Sequence, residues 1–455
     1  MNASRILIIG GSDAGISAAL RARELDTTAE ITVFLADSFP NYSICGLPFY
    51  LSGETPDWHK LAHRTEFEGI EVRRNSTAVS INPIEKTVTV EEQGHGTVKH
   101  SYDRLVICTG AVPVRPPIAG LDLPGVFPLH TMASSFRFEE FLTDHRPESA
   151  VVIGAGYIGV EMVDALTHRG LDVTLMSRPA EVLPTVDPEF GQMVEHEMQS
   201  HQVKVVNRAE VESIEQDGSQ LVVRGKGGLE AKAGFVLVAT GVRPASELAL
   251  TAGVRVGVNG AIEVNRRMET NVPGIYAAGD CVGTWHRLMR RNTYLPLGTT
   301  AHKQGRTAGE NATGGNKEFA GSRGTQVVKV FELVIARTGL REREAVDAGF
   351  DPVTADAKFW DHKAYYPGAQ EMRIRVTGDR ASGRLLGAQI IGQWKSEVSK
   401  RIDIFASALF HEMLMEDLND LDLSYTPPLS SPWDPVQMSA QRWTLEQRQT
   451  KEVHA

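Results

Sequence analysis

Two segments of this chain have the pattern of a buried parallel strand, a glycine-rich turn and a helix, and this repeat restricts the possible folds more than any other feature. The second segment, AVVIGAGYIG, has Gly154, Gly156 and Gly159 at the glycine positions of a dinucleotide-binding turn, with Tyr157 and Ile158 between the last two. Glycines at this spacing let a pyrophosphate approach the amino end of the helix. The segment therefore predicts a dinucleotide site.

The first segment is a weaker copy of the same pattern. RILIIG predicts a strand, and the turn GGSDAG has Gly10 and Gly15 at the outer glycine positions, Ser12 at the middle one and Ala14 beside the last. Serine is small enough to leave room for a pyrophosphate. The next strand, EITVFLA, ends near Asp37, the nearest acid that could hold a ribose hydroxyl.

The strands that follow support an internal duplication. SYDRLVICTGA ends at Thr109 and Gly110, FVLVATGVRP ends at Thr240 and Gly241, and VPGIYAAGDC has Asp280 just past a strand. Two nucleotide-binding units, each closed by a Thr-Gly strand, indicate a repeat. Beyond residue 325, strand-like runs precede a helical stretch near 396–415, which predicts a third domain of the α+β type.

Composition narrows the class of protein. A chain of 455 residues with 42% hydrophobic and 23% charged residues predicts a globular enzyme of two or three domains. A net charge of -10 without a basic stretch argues against a nucleic-acid partner, and no apolar run is long enough to span a membrane. The three cysteines have neither CxxC nor metal-ligand spacing, which favours a reducing cytoplasm and predicts no metal site.

Cys45 is the cysteine that we expect to react. It lies in NYSICGLPFYL, followed at once by Gly46 and Pro48, next to the first nucleotide-binding unit. A buried structural cysteine is the alternative. Cys108 and Cys281 are expected to pack in the core.

Four segments together resemble the flavoprotein disulfide reductases that have two dinucleotide-binding domains: NYSICGLPFYLSGE, IYAAGD, AYYPGAQ and SYTPPLSSPWDP. The chain is most similar to their single-cysteine group, which comprises coenzyme A-disulfide reductases, NAD(P)H-dependent persulfide reductases and NADH oxidases or peroxidases. The resemblance implies an α/β fold with two Rossmann-like dinucleotide-binding domains and a C-terminal α+β dimerisation domain. The implied domains are 1–115 with 245–325 for FAD, 116–244 for NAD(P)H, and 326–455 for dimerisation.

The resemblance also assigns residues to the cofactors. The first glycine turn would hold FAD, and Asp280 would accept a hydrogen bond from the ribityl chain, although a helix N-cap predicts the same residue type. Thr299 and Ala301, at the start of a helix, would direct backbone N–H groups at the flavin and stabilise negative charge there. Glu161 would lie near flavin and nicotinamide.

The choice between NADPH and NADH depends on Ser177 and Arg178, directly after the strand LDVTLMS. Relatives that use NADH have an acid there, which holds the ribose hydroxyls and repels a 2′-phosphate. Here the acid is absent and Arg178 offers a partner for phosphate, so NADPH is predicted and NADH stays possible.

The implied reaction is electron transfer from nicotinamide through flavin to an oxidised sulfur at Cys45: a mixed disulfide, a persulfide or a sulfenic acid. An internal disulfide is excluded because CGLPFY lacks the second cysteine of the dithiol members. Tyr365 and Tyr425 match tyrosines that a second subunit places near the cysteine, which implies a homodimer. The alternative is that both tyrosines only pack the dimer interface.

A small thiol-linked substrate is the predicted acceptor. Ser17, Arg21 and Asn41 match positions where coenzyme A-using relatives bind the nucleotide end of the substrate, although Arg21 could equally be a solvated charge. Trp433 stands where some coenzyme A-disulfide reductases have lysine, which departs from a strict coenzyme A preference.

Two other functions stay open. One is an NAD(P)H oxidase or peroxidase that cycles through a sulfenic acid at Cys45, although GGSDAG lacks the histidine that those relatives have in the first glycine turn. The other is a flavin reductase that passes electrons to a protein carrier such as a ferredoxin. Such reductases lack the cysteine and both tyrosine motifs.

Overall fold

The computed structural model describes residues 3–453 and contains two kinds of sheet, parallel sheets flanked by helices and antiparallel sheets. The strands are, in chain order, β1 Arg5–Ile9, β2 Glu30–Phe34, β3 Ile70–Arg73, β4 Ser76–Asn82, β5 Thr87–Glu92, β6 Gly96–Ser101, β7 Arg104–Ile107, β8 Ala111–Pro113, β9 Val126–Pro128, β10 Ser149–Ile153, β11 Asp172–Ser177, β12 Lys204–Asn207, β13 Val211–Asp217, β14 Gln220–Gly225, β15 Leu229–Ala233, β16 Phe235–Val238, β17 Val242–Pro244, β18 Ile275–Ala277, β19 Thr284–His286, β20 Arg291–Thr293, β21 Gln326–Val330, β22 Leu333–Gly339, β23 Pro352–Trp360, β24 Glu371–Asp379 and β25 Leu385–Gln393. The α-helices are α1 Asp13–Leu25, α2 Leu47–Ser52, α3 Met132–His145, α4 Tyr157–His168, α5 Pro188–Ser200, α6 Glu247–Thr251, α7 Gly298–Ala312, α8 Glu342–Asp347, α9 Val398–Phe410, α10 Met415–Asn419 and α11 Pro435–Val453.

The chain divides into two compact units, and the first comprises 1–117, 127–146 and 240–322. Its parallel sheet has the strand order β18-β7-β1-β2-β3. The apolar run in β1 is buried on both faces, as expected for a central parallel strand. The antiparallel strands β4, β5 and β6 form a separate small sheet. The first predicted strand, turn and helix thus fold as expected.

Close packing of α1 against α7 covers part of this sheet. Gly305 and Gly309 lie one helical turn apart on α7, and a Cβ atom at either would lie within 2.2 Å of a backbone carbonyl oxygen of α1, from Ala14 or Ala18. Because neither glycine has a side chain, the two helix backbones approach each other directly. The side chains at the edges of this contact are therefore brought face to face.

The second unit comprises 118–126, 147–239 and 323–455. In its parallel sheet, strands β12, β11, β10 and β16 lie side by side in that order, and α4 follows β10 directly. An antiparallel sheet with the order β21-β22-β25-β24-β23 occupies the C-terminal part. The predicted boundary between 116–244 and 326–455 stays a prediction.

The C-terminal part contains elements that the sequence pattern did not indicate. The helical stretch expected near 396–415 is two helices, α9 and α10, with a turn between them. Strand β23 and helix α11 had no predicted counterpart. Trp443 of α11 is buried, and its indole N–H donates to the carbonyl of Val353 at 2.8 Å, which anchors the helix to β23. None of the described helices has the length and apolar character that a membrane crossing needs.

Candidate active site

The first glycine turn connects β1 to α1. Gly10 has φ +109°, and a Cβ atom there would lie 2.1 Å from the carbonyl oxygen of Cys108. A Cβ atom at Gly15 would lie 1.8 Å from the carbonyl oxygen of Gly10. Ser12 is the N-cap of α1, but its side chain makes no capping hydrogen bond. The outer glycines are thus required by the fold, and Ser12 leaves N–H groups of the helix end to a bound anion.

The second glycine turn connects β10 to α4 with the same geometry. Gly154 has φ +112°, and a Cβ atom at Gly159 would lie 1.9 Å from the Gly154 carbonyl oxygen. Around Gly156, by contrast, no atom lies within 4 Å of a Cβ position. This open space at the amino end of α4 fits the pyrophosphate of a dinucleotide.

The two Thr-Gly pairs lie at the positions where the chain leaves and re-enters the first unit. Thr109 donates its hydroxyl to the Ala245 carbonyl at 2.6 Å, and Thr240 donates to the Val114 carbonyl at 3.2 Å. Strands β8 and β17 pair between them. Gly110 and Gly241 both have positive φ and open space at the Cβ position, so the backbone there is left accessible.

Asp280 follows β18 in a half-buried position. Burial raises the pKa of its carboxyl group to about 6, and the neighbouring carboxylate of Asp13 adds to the increase. Burial also raises the pKa of Tyr294, and among the described residues no group hydrogen-bonds to its buried hydroxyl. A half-buried carboxylate beside a second acid and a phenol without a partner in the described chain suit a ligand rich in hydroxyl groups, as FAD is.

The start of α7 provides the other predicted FAD contact. The N–H groups of Thr300 and Ala301 both donate to the Leu297 carbonyl at 2.9 Å. Thr299 precedes them in the first turn of the helix. Of the two residues predicted here, Thr299 is therefore better suited than Ala301 to donate its N–H to a bound group.

Asp37 lies just beyond β2 and is half-buried. Its carboxylate accepts a hydrogen bond from the Phe39 N–H at 2.8 Å, and burial raises its pKa. An acid at this position remains available to a ribose hydroxyl.

Cys45 lies in a 3₁₀ turn, Ile44–Gly46, directly before α2, and its side chain is exposed. The preceding Asn41 has φ +56°, and its backbone N–H donates to the Gly11 carbonyl at 2.9 Å. This bond ties the cysteine segment to the first glycine turn. The Asn41 side-chain amide donates to the Arg64 carbonyl at 2.9 Å, so the predicted substrate contact is engaged within the protein.

The other two cysteines are buried, as predicted, and burial raises the pKa of both thiols. A buried thiol with a raised pKa forms little thiolate and is a poor nucleophile. No disulfide links any of the three cysteines in the part of the chain that the structure describes.

In the second unit, Glu161 lies one turn into α4. Burial raises the pKa of its carboxyl group to about 7, with a contribution from the charge of Asp164. The Tyr157 hydroxyl accepts a hydrogen bond from Thr185 at 3.2 Å. At the end of β11, the buried Ser177 hydroxyl has no partner among the described residues, and Arg178 is exposed. These groups are available to a dinucleotide bound at the second glycine turn.

The two tyrosine motifs come together within the second unit. Lys363 donates its N–H to the Pro427 carbonyl at 3.2 Å, which joins the loop of Tyr365 to the loop of Tyr425. Arg401 strengthens the junction because its guanidinium donates to the Asp361 carbonyl at 2.7 Å and pairs with Asp434. A further link is the Ser430 hydroxyl, which donates to Asp434 at 2.7 Å.

Tyr365 and Tyr425 are 74% and 44% exposed in the single chain, and Trp433 of the same C-terminal part is 51% exposed. Aromatic side chains this exposed are typical of a surface that another molecule covers.

Residues 4–305 match the family described as pyridine nucleotide-disulphide oxidoreductase, and residues 325–435 match its dimerisation domain. The chain belongs to this family. Membership confirms the predicted fold class and the predicted enzyme class, an FAD-dependent NAD(P)H oxidoreductase of the pyridine nucleotide-disulphide oxidoreductase family. It also confirms FAD and a nicotinamide dinucleotide as the cofactors.

Relatives of this oxidoreductase align along nearly its whole length. The NAD(P)H sulfur oxidoreductase (CoA-dependent) of Pyrococcus furiosus is 35% identical over 447 residues, which cover 96% of this chain and 98% of that protein. Coenzyme A disulfide reductase of Staphylococcus haemolyticus is 30% identical, with 95% and 98% covered. The structure of reduced CoADR-RHD from Bacillus anthracis aligns with a TM-score of 0.95 at 34% identity, covering 99% of this chain and 81% of that one.

One pair of residues near the tyrosine loops was not predicted. His362 Nδ1 lies 2.8 Å from Asp361 Oδ1, and both side chains are largely buried. His362 Nε2 has no hydrogen-bond partner among the described residues, and the ring packs edge-on against Tyr366. The adjacent Asp-His pair just before AYYPG was the available signal.

Proposed function

We propose that this oxidoreductase uses NADPH and FAD to reduce a low-molecular-weight disulfide or persulfide, such as coenzyme A disulfide, at the single redox thiol of Cys45. The observation that carries the proposal is the exposed thiol of Cys45 in a segment that Asn41 hydrogen-bonds to the first glycine turn, while both other thiols are buried. The names of the Pyrococcus and Staphylococcus relatives support a sulfur substrate over the oxidase alternative.

The proposed chemistry has two steps at Cys45. Its thiolate attacks one sulfur of the disulfide RSSR, so that a Cys45–SR bond forms and RS⁻ leaves. Two electrons then cleave the mixed disulfide to the Cys45 thiolate and a second RS⁻, and protons convert each RS⁻ to a thiol. Bound FAD supplies the conversion of a hydride from NADPH into these two electrons. Overall, NADPH, one proton and RSSR give NADP⁺ and two RSH.

We assign FAD to the first glycine turn and NADPH to the second. Gly10, Ser12 and Gly15 with Asp280 and Thr299 would hold FAD. The open space at Gly156 would take the NADPH pyrophosphate, and the exposed Arg178 would pair with the 2′-phosphate.

We further propose a homodimer in which the second subunit brings Tyr365 and Tyr425 to Cys45. The exposure of both tyrosines and the match to a dimerisation domain support this arrangement. A phenol at that position donates a proton to the leaving thiolate. We propose the cytoplasm as the site of action because a redox thiol there is kept reduced.

The test is an anaerobic NADPH titration of the purified, FAD-containing protein and of its C45S variant. We expect the wild type, first treated with the disulfide to form the Cys45 mixed disulfide and freed of excess reagent, to take up more than two electrons per flavin and to develop a long-wavelength absorbance band from the thiolate beside the flavin. C45S should take up two electrons, show no such band and lose disulfide turnover. If the wild type takes up only two electrons and C45S keeps its turnover, a flavin reductase for another acceptor replaces the proposal.

A further inference from the structure

The contact between α1 and α7 carries a row of polar side chains that we call the helix-pair ladder. Its members on α1 are spaced three or four residues apart, so they lie on one face of the helix. The ladder consists of Asp13, Ser17, Arg21 and Glu24 on α1, and His302, Arg306 and Glu310 on α7. All seven residues belong to the first unit.

Each member of the ladder has a partner within the protein. Ser17 Oγ lies 2.8 Å from His302 Nδ1, and His302 Nε2 lies 3.6 Å from a carboxylate oxygen of Asp13. Arg21 donates through two nitrogens to one carboxylate oxygen of Glu310, at 2.6 and 3.0 Å.

Glu24 completes the ladder at its far end. It accepts a hydrogen bond from Arg21 at 3.0 Å and pairs with Arg306 at 3.3 Å. Arg21 is therefore held between two carboxylates, from Glu24 and Glu310.

This arrangement bears on two of the predicted substrate residues. Ser17 and Arg21 were expected to bind the nucleotide end of a coenzyme A substrate, an end that carries phosphate groups. In the ladder, three carboxylates face two guanidinium groups, so the row lacks the excess of positive charge that a phosphate site needs. A phosphate at Arg21 would have to displace Glu310 and would then lie beside both carboxylates.

We infer that the helix-pair ladder cancels the attraction of this helix face for a phosphorylated nucleotide end, so that the enzyme recognises low-molecular-weight disulfides or persulfides by their sulfur and short thiol arm, with or without phosphate groups. The inference rests on the proposed disulfide reductase function and narrows its substrate class. Glu24 and Glu310 are the specificity-determining residues. They act by holding Arg21, and neither touches the reacting sulfur atoms.

The size of the effect follows from the exposure of the ladder. The Arg21 and Glu310 side chains keep 25% and 21% of their surface exposed, and Glu24 keeps 49%. Ion pairs this exposed are individually weak, so removing both carboxylates should tighten phosphate binding by roughly five- to tenfold rather than by orders of magnitude.

The experiment compares three acceptors in steady-state assays with NADPH: coenzyme A disulfide, its analogue without the 3′-phosphates, and pantethine, which lacks the nucleotide. In the wild type we expect KM values within about threefold of one another, because exposed charge pairs contribute little. In the double variant E24Q/E310Q, KM for coenzyme A disulfide should fall by roughly five- to tenfold, while KM for pantethine should stay unchanged.

Calorimetric titration with adenosine 3′,5′-bisphosphate provides a readout that needs no turnover. We expect E24Q/E310Q to bind this probe at least about fivefold more tightly than the wild type. If the double variant is unstable, E24Q alone carries the test, with an expected gain of about two- to threefold. Glu318→Gln is the matched control, since it removes the same charge from the exposed ion pair with Arg266 in the same unit and should change nothing.

Two results would overturn the inference: a wild-type KM more than about tenfold lower for coenzyme A disulfide than for pantethine, or probe binding that the Glu→Gln changes leave unchanged or weaken. Failure to reduce any of the three disulfides would instead contradict the proposed function. In that case the titration with adenosine 3′,5′-bisphosphate still tests the inference about the helix-pair ladder, because it needs no turnover.

Discussion

The two glycine turns have nearly the same backbone but differ at the middle position, where the first has Ser12 and the second has Gly156. In both turns the third glycine packs against the carbonyl of the first, with a hypothetical Cβ less than 2 Å from it. The middle residues have ordinary backbone angles, φ -101° and -78°. The fold therefore requires glycine at the outer positions, whereas the size of the middle residue is restricted only by the space that a bound dinucleotide needs.

The largest expected effect comes from the third glycine. G15A and G159A should each lower the free energy of unfolding by about 3 kcal/mol or more, because the added methyl group overlaps a backbone carbonyl that cannot move aside cheaply. Urea unfolding followed by circular dichroism measures the change.

The matched control is G156A, where the methyl group meets open space. It should leave stability within about 0.5 kcal/mol of the wild type. Equal losses for G156A and G159A would contradict the distinction between the outer and middle positions.

A smaller effect on stability is expected from Glu161, which lies in the helix after the second glycine turn and has a raised pKa. The folded-state pKa of Glu161, about 7, exceeds its ordinary value of 4.5, so the folded protein binds more protons than the unfolded chain between these values. The free energy of unfolding should fall as the pH rises through this window. E161Q should abolish the fall and be more stable than the wild type at pH 8 by about 2 kcal/mol.

Urea unfolding at pH 5, 6, 7 and 8 without NADPH measures this difference, and E212Q, an exposed change in the same unit, is the control. Parallel stability profiles for wild type and E161Q would contradict the prediction.

The strand ends beyond the two turns offer the third test. Arg178 is the first residue after β11, whereas the nearest acid after β2, Asp37, lies three residues beyond the strand end at Phe34. R178A should raise KM for NADPH by about tenfold and leave KM for NADH unchanged, because it removes a charge-assisted contact to the 2′-phosphate. Steady-state kinetics with both nucleotides measure the two constants, and a parallel increase in both would assign Arg178 a structural role instead.

The smallest effects should follow from exchanging the middle residues. G156S should leave stability unchanged and raise KM for NADPH by about two- to threefold, since a serine fits but takes up part of the space. S12G should leave FAD content unchanged. Loss of nucleotide binding in G156S would mean that the second turn tolerates no side chain, and the two turns would then differ in kind.

These comparisons also separate what local sequence can predict from what it cannot. The glycine spacing predicted both turns, and the Gly46 and Pro48 that flank Cys45 indicated a turn there. Nothing local indicated that Arg21 pairs with Glu310, because the two residues are 289 positions apart and meet only when α1 packs on α7.

The C-terminal part is a second region in which contacts between residues distant in sequence could not be predicted. The junction between the loops of Tyr365 and Tyr425 depends on Arg401, which bonds to Asp361 and Asp434, and neither partner is adjacent to it in sequence. Strand β23 alternates apolar and polar residues, but two of the four positions on its apolar face are alanines and only part of this edge strand is buried, so its apolar signal is weak. Such elements are stabilised by tertiary contacts, which leave a weak periodic signal.

The first unit is assembled from three separate stretches of chain, and this affects how the protein can be made. Its sheet needs β18 as an edge strand, and α1 needs the glycines of α7, yet both elements are synthesised after the whole insert at 147–239. At roughly 5–20 residues per second, a ribosome needs tens of seconds to synthesise the chain from α1 to α7, and the apolar face of α1 stays uncovered during that time. FAD can therefore be captured only late in translation, and until then the uncovered apolar surface makes the nascent chain prone to aggregation.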